Sequence, residues 1–296
     1  MSTLIESATA ITVFPHRAIS RQLPNEPITR IQPPKFWEAI NLAEIWAQRE
    51  VFYFLMWRDV KVRYKQTVIG VAWVVLQPIL ITIVFAIFLG RLIKVPSDGM
   101  PYPIFAYASL LLWTFASNAI LSSSYSLVLN AHIITRVYFS RLLIPAAAIG
   151  VRLLDFVIAS GVLIGLMTYY RIPVTRAALC LPLFVLMIGA LTLAIGLLGA
   201  SLNVRYRDVG TIMPILLQAW MFVSPIVYSS AVVPARLRFL YSLNPLVGII
   251  DGFRAALFNL PFDWPSIVMS ALVIAPLLIV SMHVFIKMES TFADDV

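Results

Sequence analysis

The stretch "WRDVKVRYKQTVIGVAWVVLQP", residues 57–78, changes character once and does not change back. Arg58, Asp59, Lys61, Arg63 and Lys65 crowd its first half, and no charge follows until Arg91. A helix half-buried in a soluble protein alternates polar and apolar faces along its whole length. A single edge between a basic block and a long apolar run marks a water–lipid boundary instead.

The rest of the chain agrees with that edge. Hydrophobic residues make up 60% of its 296 residues and charged ones 12%, and mean hydropathy is +0.90. Water-soluble domains hold about 45–50% apolar and about 25% charged residues. Runs without Asp, Glu, Lys or Arg occupy residues 66–90, 99–135, 177–204, 209–235 and 264–286. A sixth region, 142–170, is interrupted by Arg152 and Asp155 alone. At roughly 20 apolar residues per crossing, these regions predict six transmembrane helices and an all-α integral membrane protein.

A net charge of +8 invites a nucleic-acid reading. The basic residues, however, sit in short segments between apolar runs, the arrangement that orients a protein against anionic lipid. No nucleic-acid partner is expected. The single Cys180 excludes an intrachain disulfide and a cysteine metal cluster. Residues 1–35 hold five prolines and no apolar core, so they are expected to be a disordered cytoplasmic leader rather than a signal peptide. Residues 41–57 read as an interfacial helix, with Leu42, Ile45, Trp46, Phe52, Tyr53 and Met56 on one side and Glu44, Gln48 and Val51 away from it. A helix packed on the protein itself is the alternative. Arg58, Lys61, Arg63 and Lys65 place the start of the first span in the cytoplasm, and six spans return the C-terminus to the same side.

Two segments fit neither span nor free loop. "NAHIITRVYFSR", residues 130–141, puts Ile133, Ile134, Val137, Tyr138 and Phe139 within seven positions, enough for a short amphipathic helix. Residues 229–262 are too polar to span and too apolar for a loop. Pro234, Pro245 and Gly248 are expected to break them into short helices that re-enter the membrane against protein.

Catalytic and energy-coupling signatures are absent from the sequence. No GxxxxGK[ST] loop, HExxH or GxSxG occurs, and His16, His132 and His283 are scattered, so neither an enzyme nor a metal site is expected. The one carboxylate well inside a span, Asp155, lies three residues from Arg152, and the pair reads as structural rather than as a proton relay. Gly161 with Gly165, and Gly189, Gly196 and Gly199, suggest close helix packing within or between chains. A transport-sized membrane protein without an energy source of its own has to borrow one.

The opening stretch resembles the start of the membrane subunits of ABC-2-type polysaccharide exporters, the family of O-antigen, capsular polysaccharide and teichoic-acid permeases. "NAHIITRVYFSRLLIP", residues 130–145, is similar to the family's cytoplasmic coupling segment. "MFVSPIVYSSAVVP", residues 221–234, with "LNPLVGIIDGFRAALF", residues 243–258, is similar to its fifth span and outer gate helices. The resemblance implies a homodimer seated on two copies of a separate ABC ATPase, which binds ATP and Mg; this chain would bind no cofactor. It implies export of a glycan linked to a polyprenyl diphosphate across the bacterial inner membrane. Exporters of drugs or other lipids in the same superfamily are the rival. The expected organisation is a leader, 1–35; an interfacial helix with the basic cluster, 36–64; and the transmembrane domain, 65–290.

The resemblance also gives the residues roles. Arg58, Lys61, Arg63 and Lys65 stand where a diphosphate would arrive from the inner leaflet, with Arg63 preferred because a guanidinium grips phosphate bidentately. Positive-inside anchoring explains the cluster equally well. Ile133, Arg136, Val137, Tyr138 and Phe139 are the expected ATPase contacts. Trp73, Phe85, Trp220, Phe222 and Tyr228 are candidates to line a sugar pathway, although packing or an aromatic belt accounts for any one of them.

Overall fold

The computed structural model describes residues 46–65, 70–134, 136, 139–289 and 292. The chain divides into residues 1–35, outside that set, and the unit Phe36–Val296, to which everything below refers. The expected leader and the start of the interfacial helix, with Leu42, Glu44 and Ile45, therefore lie outside the described residues.

The described residues form helices and no strand. In chain order they are α1 (Arg49–Lys65), α2 (Ala72–Phe85, continued by a π-helical turn Ala86–Ile93), α3 (Tyr102–Leu129), α4 (Ala131–Ile134), α5 (Leu143–Tyr169), α6 (Leu181–Arg205), α7 (Asp208–Val223), α8 (Arg238–Ser242), α9 (Pro245–Phe258) and α10 (Trp264–Glu289). Five helices are long and apolar enough to cross a membrane: Ala72–Ile93, Tyr102–Leu129, Leu143–Tyr169, Arg176–Arg205 and Trp264–Glu289. They coincide with five of the six expected spans.

The remaining expected span, 209–235, is cut short. α7 has 16 residues, about 24 Å at 1.5 Å per residue, against a hydrocarbon core of about 30 Å. It stops because Pro225 forces Ser224 out of the helical region, to φ −104° and ψ 153°. Two hydrogen bonds fix its height. Tyr125 donates to the Gly210 carbonyl at 2.5 Å, and Tyr102 donates to the Val227 carbonyl at 2.8 Å. Tyr102 and Tyr125 are 23 residues apart on α3, about 34 Å along its axis.

α3 is the centre of the bundle. It is apolar all round, as a helix surrounded by others has to be, and 78% of its most apolar window is buried. It packs against α2, α5, α6 and α7, and α10 closes the far side against α6 and α9. Small residues set the α3–α6 approach: a Cβ on Gly196 or Gly199 would collide with Ser123 or Ser124. Gly161, Gly165 and Gly189 have nothing within 4 Å of an added Cβ, so they serve no close packing inside this chain. α2, by contrast, is only 11% buried over its window.

The interfacial helix reaches further along the chain than expected and packs partly on its own chain. α1 runs unbroken through the basic cluster to Lys65, and Leu55, off the expected stripe, is its buried residue. Val51, Phe52, Leu55 and Met56 pack into the lower core, and a Cβ on Gly150 of α5 would lie 3.1 Å from Met56 Sδ. Trp46 and Tyr53, expected on the apolar side of an interfacial helix, are exposed together with Phe54 and Trp57. Leu55, Met56 and the ring of Phe52 fill the core, whereas Tyr53, Phe54 and Trp57 face outward.

Residues 229–262 break into short helices as expected at Pro234 and Pro245, and not at Gly248. Asn244 caps α9 by accepting from Leu246 N at 3.1 Å, and Pro245 occupies its first turn. Gly248 lies within α9 because a Cβ there would strike the Ser266 carbonyl and Ser270 Oγ of α10. It brings two helices together rather than ending one. Every α9 residue except Pro245 and Asp251 is buried.

Candidate functional site

α1 and the cytoplasm-facing ends expected for α3 and α5 enclose a cavity of about 890 Å³. Arg58 and Arg63 enter it from α1, Arg152 from α5, and Asn118, Ser122 and Tyr125 from α3, above a floor of Leu121, Leu129 and Val151. Helical spacing brings these groups together. Arg58 and Arg63 fall on the side of α1 that meets the bundle, whereas Lys61 and Lys65 are exposed and Lys61 lies over the Trp57 ring at 5.4 Å. Of the four basic residues expected at a lipid diphosphate, two line the cavity.

Each arginine is held differently. Arg58 donates through Nε and Nη2 to Asp59 Oδ1, at 2.9 and 2.7 Å, and through Nη2 to Asn130 Oδ1 at 2.6 Å. Arg152 donates to Ser122 Oγ at 2.8 Å. Arg63 Nη1 lies 2.9 Å from Asp155 Oδ2, an ion-pair distance without hydrogen-bond alignment. The expected Arg152–Asp155 pair exists at 3.5 Å, but Asp155 is closer to Arg63 and also accepts from the Tyr64 hydroxyl. Burial first, and that hydrogen bond second, push the Tyr64 phenol well above its ordinary value. Asp155 thus ties α1 to α5. Sequence spacing showed only the partner three residues away, because a contact 91 positions back in the chain leaves no local signal.

The coupling segment is partly described. Ile133 is half-buried and Arg136 exposed, whereas Val137 and Tyr138 lie outside the described residues. Phe139 is buried with Leu55, Ile134 and Phe285 in the lower core, so this ring faces its own chain. The turn after it is anchored: Ser140 N donates to Gln48 Oε1 at 3.0 Å, and Arg141 donates to the Glu289 carbonyl and, through its backbone, to Glu289 Oε1.

The five pathway aromatics do not form one site. Trp73 lies beside Arg63, Phe85 packs on the upper core, and Phe222 is exposed. Trp220 and Tyr228 are held separately, by α3 and by the segment before α9. Trp220 meets Trp113 edge-on at 6.1 Å and donates to Asn244 Oδ1 at 3.0 Å, while Tyr241 donates to Tyr228 at 3.1 Å. Beneath them lies Arg254, 2% exposed, which no motif singled out. Its Nε donates to Ser109 Oγ at 2.6 Å and its Nη2 to the Ile226 carbonyl at 3.0 Å, with its plane 3.7 Å from the Phe105 ring. Only its place, with Asp251, in a helix of otherwise uncharged residues could have marked it.

Residues 50–258 match the ABC-2 type transporter family. Among curated proteins, an O-antigen export system permease protein RfbA of Klebsiella pneumoniae is 25% identical over 240 residues, 80% of this chain and 91% of the relative. Another of the same name and organism is 24% identical over 238 residues. One from Myxococcus xanthus is 25% identical over 259 residues, 86% of this chain and 98% of the relative.

Proposed function

The chain belongs to the ABC-2 type transporter family, and from that premise we propose that it is the membrane-spanning subunit of an ATP-driven exporter of polyprenyl-diphosphate-linked polysaccharide. It works in the bacterial cytoplasmic membrane as a homodimer on two copies of an ABC ATPase, which supplies ATP and Mg. The names of its relatives support the glycan; the cavity supports the lipid diphosphate. Three arginines against one carboxylate, Asp59, with Val62, Leu121 and Val151 among the lining residues, suit a ligand with a doubly anionic head and an apolar tail, and that observation carries the reading.

The chain crosses six times with both termini cytoplasmic. α7 makes the fifth crossing together with residues 224–227, whose less compact backbone supplies the height a 16-residue helix lacks. α8 and α9 re-enter from the outside and close the pathway at rest, with Trp220 and Tyr228 as the aromatics nearest it. Ile133 and Arg136, with Val137 and Tyr138, face the ATPase.

Surface glycan is the measurement, in a strain depending on this chain for export. Arg63→Ala is expected to reduce it strongly, since each charge-assisted bond to phosphate is worth about 1.5–3 kcal/mol. Arg63→Lys restores part, and Lys61→Ala does little. Asp155→Asn frees the Arg63 fork and preserves export. An Asp155→Asn defect as severe as that of Arg63→Ala would assign Arg63 to the ion pair alone. Equal, mild effects at Arg63 and Lys61 would return the cluster to orientation only.

A further inference from the structure

A second cavity, about 510 Å³, opens at the opposite end of α3. Asp98, Asp251 and Asp263 line it with Arg238, Arg254 and Tyr241. The carboxylates are only partly used. Asp98 accepts from Ser229 Oγ at 2.5 Å and Asp263 from Ser266 Oγ at 2.6 Å, while Asp251 lies 3.5 Å from Arg254 Nη1 and also accepts from Ser230. An ionised carboxylate accepts about four hydrogen bonds, so the wall keeps an excess of acceptors. Arg254 is itself buried in that wall. Tyr241 is fixed through its hydroxyl, which leaves a ring of set orientation beside the carboxylates.

Ligand chemistry follows from the spacing. Three carboxylates repel a phosphate. They are also too dispersed to grip a cation, since among the described residues no three His, Cys, Asp or Glu side chains could hold a metal ion. Separated acceptors, the exposed Arg238 guanidinium and a positioned ring match a neutral molecule bearing many hydroxyls, in a volume ordinary for a small-molecule site.

We propose that this cavity is a subsite for neutral sugar residues, with Asp98 and Asp263 accepting from sugar hydroxyls and Arg238 donating at its mouth. The inference rests on the exporter reading above and adds a point at which the emerging glycan is held. The full chain in lipid nanodiscs, probed with the host's surface glycan freed from lipid by mild acid, tests it by saturation-transfer NMR. Asp263→Asn and the exposed Arg238→Ala are expected to weaken binding about tenfold. Arg238→Ala leaves the packing untouched, so it reports even if Asp263→Asn fails to fold. No binding by the unaltered chain, equal binding by the variants, or saturable magnesium or inorganic phosphate binding lost in the variants would each overturn the subsite. Deleting the chain separates the two readings. If surface glycan disappears on deletion while variants bind normally, the subsite alone falls. If surface glycan persists on deletion, the exporter reading falls and takes the subsite with it.

Discussion

Arg254→Ala should loosen α9 from the rest of the bundle. The guanidinium reaches three elements at once: Ser109 on α3, the Ile226 and Tyr228 carbonyls in the segment after α7, and Asp251 one turn back on α9. Alanine leaves those carbonyls and the carboxylate facing a void, and strips the Phe105 ring of its cation. Removing one partner of a buried charged pair costs about 3–5 kcal/mol. The Phe105 contact is part of that cost rather than an addition to it. At about 2–4 °C per kcal/mol, the figure for larger domains, the unfolding midpoint should fall by about 6–20 °C. Cys180, the only cysteine, is half-buried in the turn Arg176–Cys180 that packs against α9. A thiol-reactive dye therefore reads the transition without engineering. Arg254→Lys should recover less than half of the loss, because an ammonium cannot span Ser109 and Ile226 together. Arg254→Met combined with Asp251→Asn should recover most of it, since the orphaned charge is gone. A midpoint for Arg254→Ala within two degrees of the unaltered chain would refute the latch.

Gly248→Ala should destabilise by about 1–3 kcal/mol in the same assay, because its Cβ meets the Ser266 carbonyl; Gly161→Ala, facing open space, should change nothing. With Cys180 replaced by serine, single cysteines at Val232 and Ile250 should react unequally with a water-soluble thiol reagent, Val232 quickly and Ile250 hardly at all, and equal rates would make residues 229–262 a free loop.

The spans were legible because one signal, the absence of charge over 20 residues, carries both length and environment. It failed at α7, where the apolar run continues past Pro225 but the helix does not. Composition counts Ser224 and Pro225 as tolerable, whereas backbone sterics end the helix there. Periodicity also identified a stripe on α1, and Phe52 and Met56 from it pack on the lower core. It could not show that Leu55, off the stripe, is the residue buried there, because which residues meet the bundle is decided by packing. In the cavity, sequence order brought Arg58 and Arg63 forward as part of a visible cluster. Arg152 was assigned to Asp155 alone, and the bridge from Asp155 to α1 was invisible, because tertiary packing creates it. Gly248 was read as a breaker on its residue type; the Ser266 backbone beside it gives the glycine a different purpose.

Two arginines at opposite ends of α3 show why one can act as a latch and the other as a receptor. Arg254 is 2% exposed and spends its donors on backbone carbonyls, a serine and a carboxylate, partners that cannot leave. Arg63 keeps a third of its side chain exposed and meets one carboxylate at ion-pair distance, so most of its five N–H donors stay available. A partly solvated pair of that kind is worth about 1 kcal/mol, whereas two charge-assisted bonds to a diphosphate would return about 3 kcal/mol or more. The incoming anion wins that exchange. Asp155 is not stranded by it, because Tyr64 and Arg152 remain within reach. On the proposed exporter reading, the shared carboxylate would hold α1 in place when the cavity is empty and release Arg63 at small cost to a diphosphate. An Arg63 paired as tightly as Arg254 could do only the first.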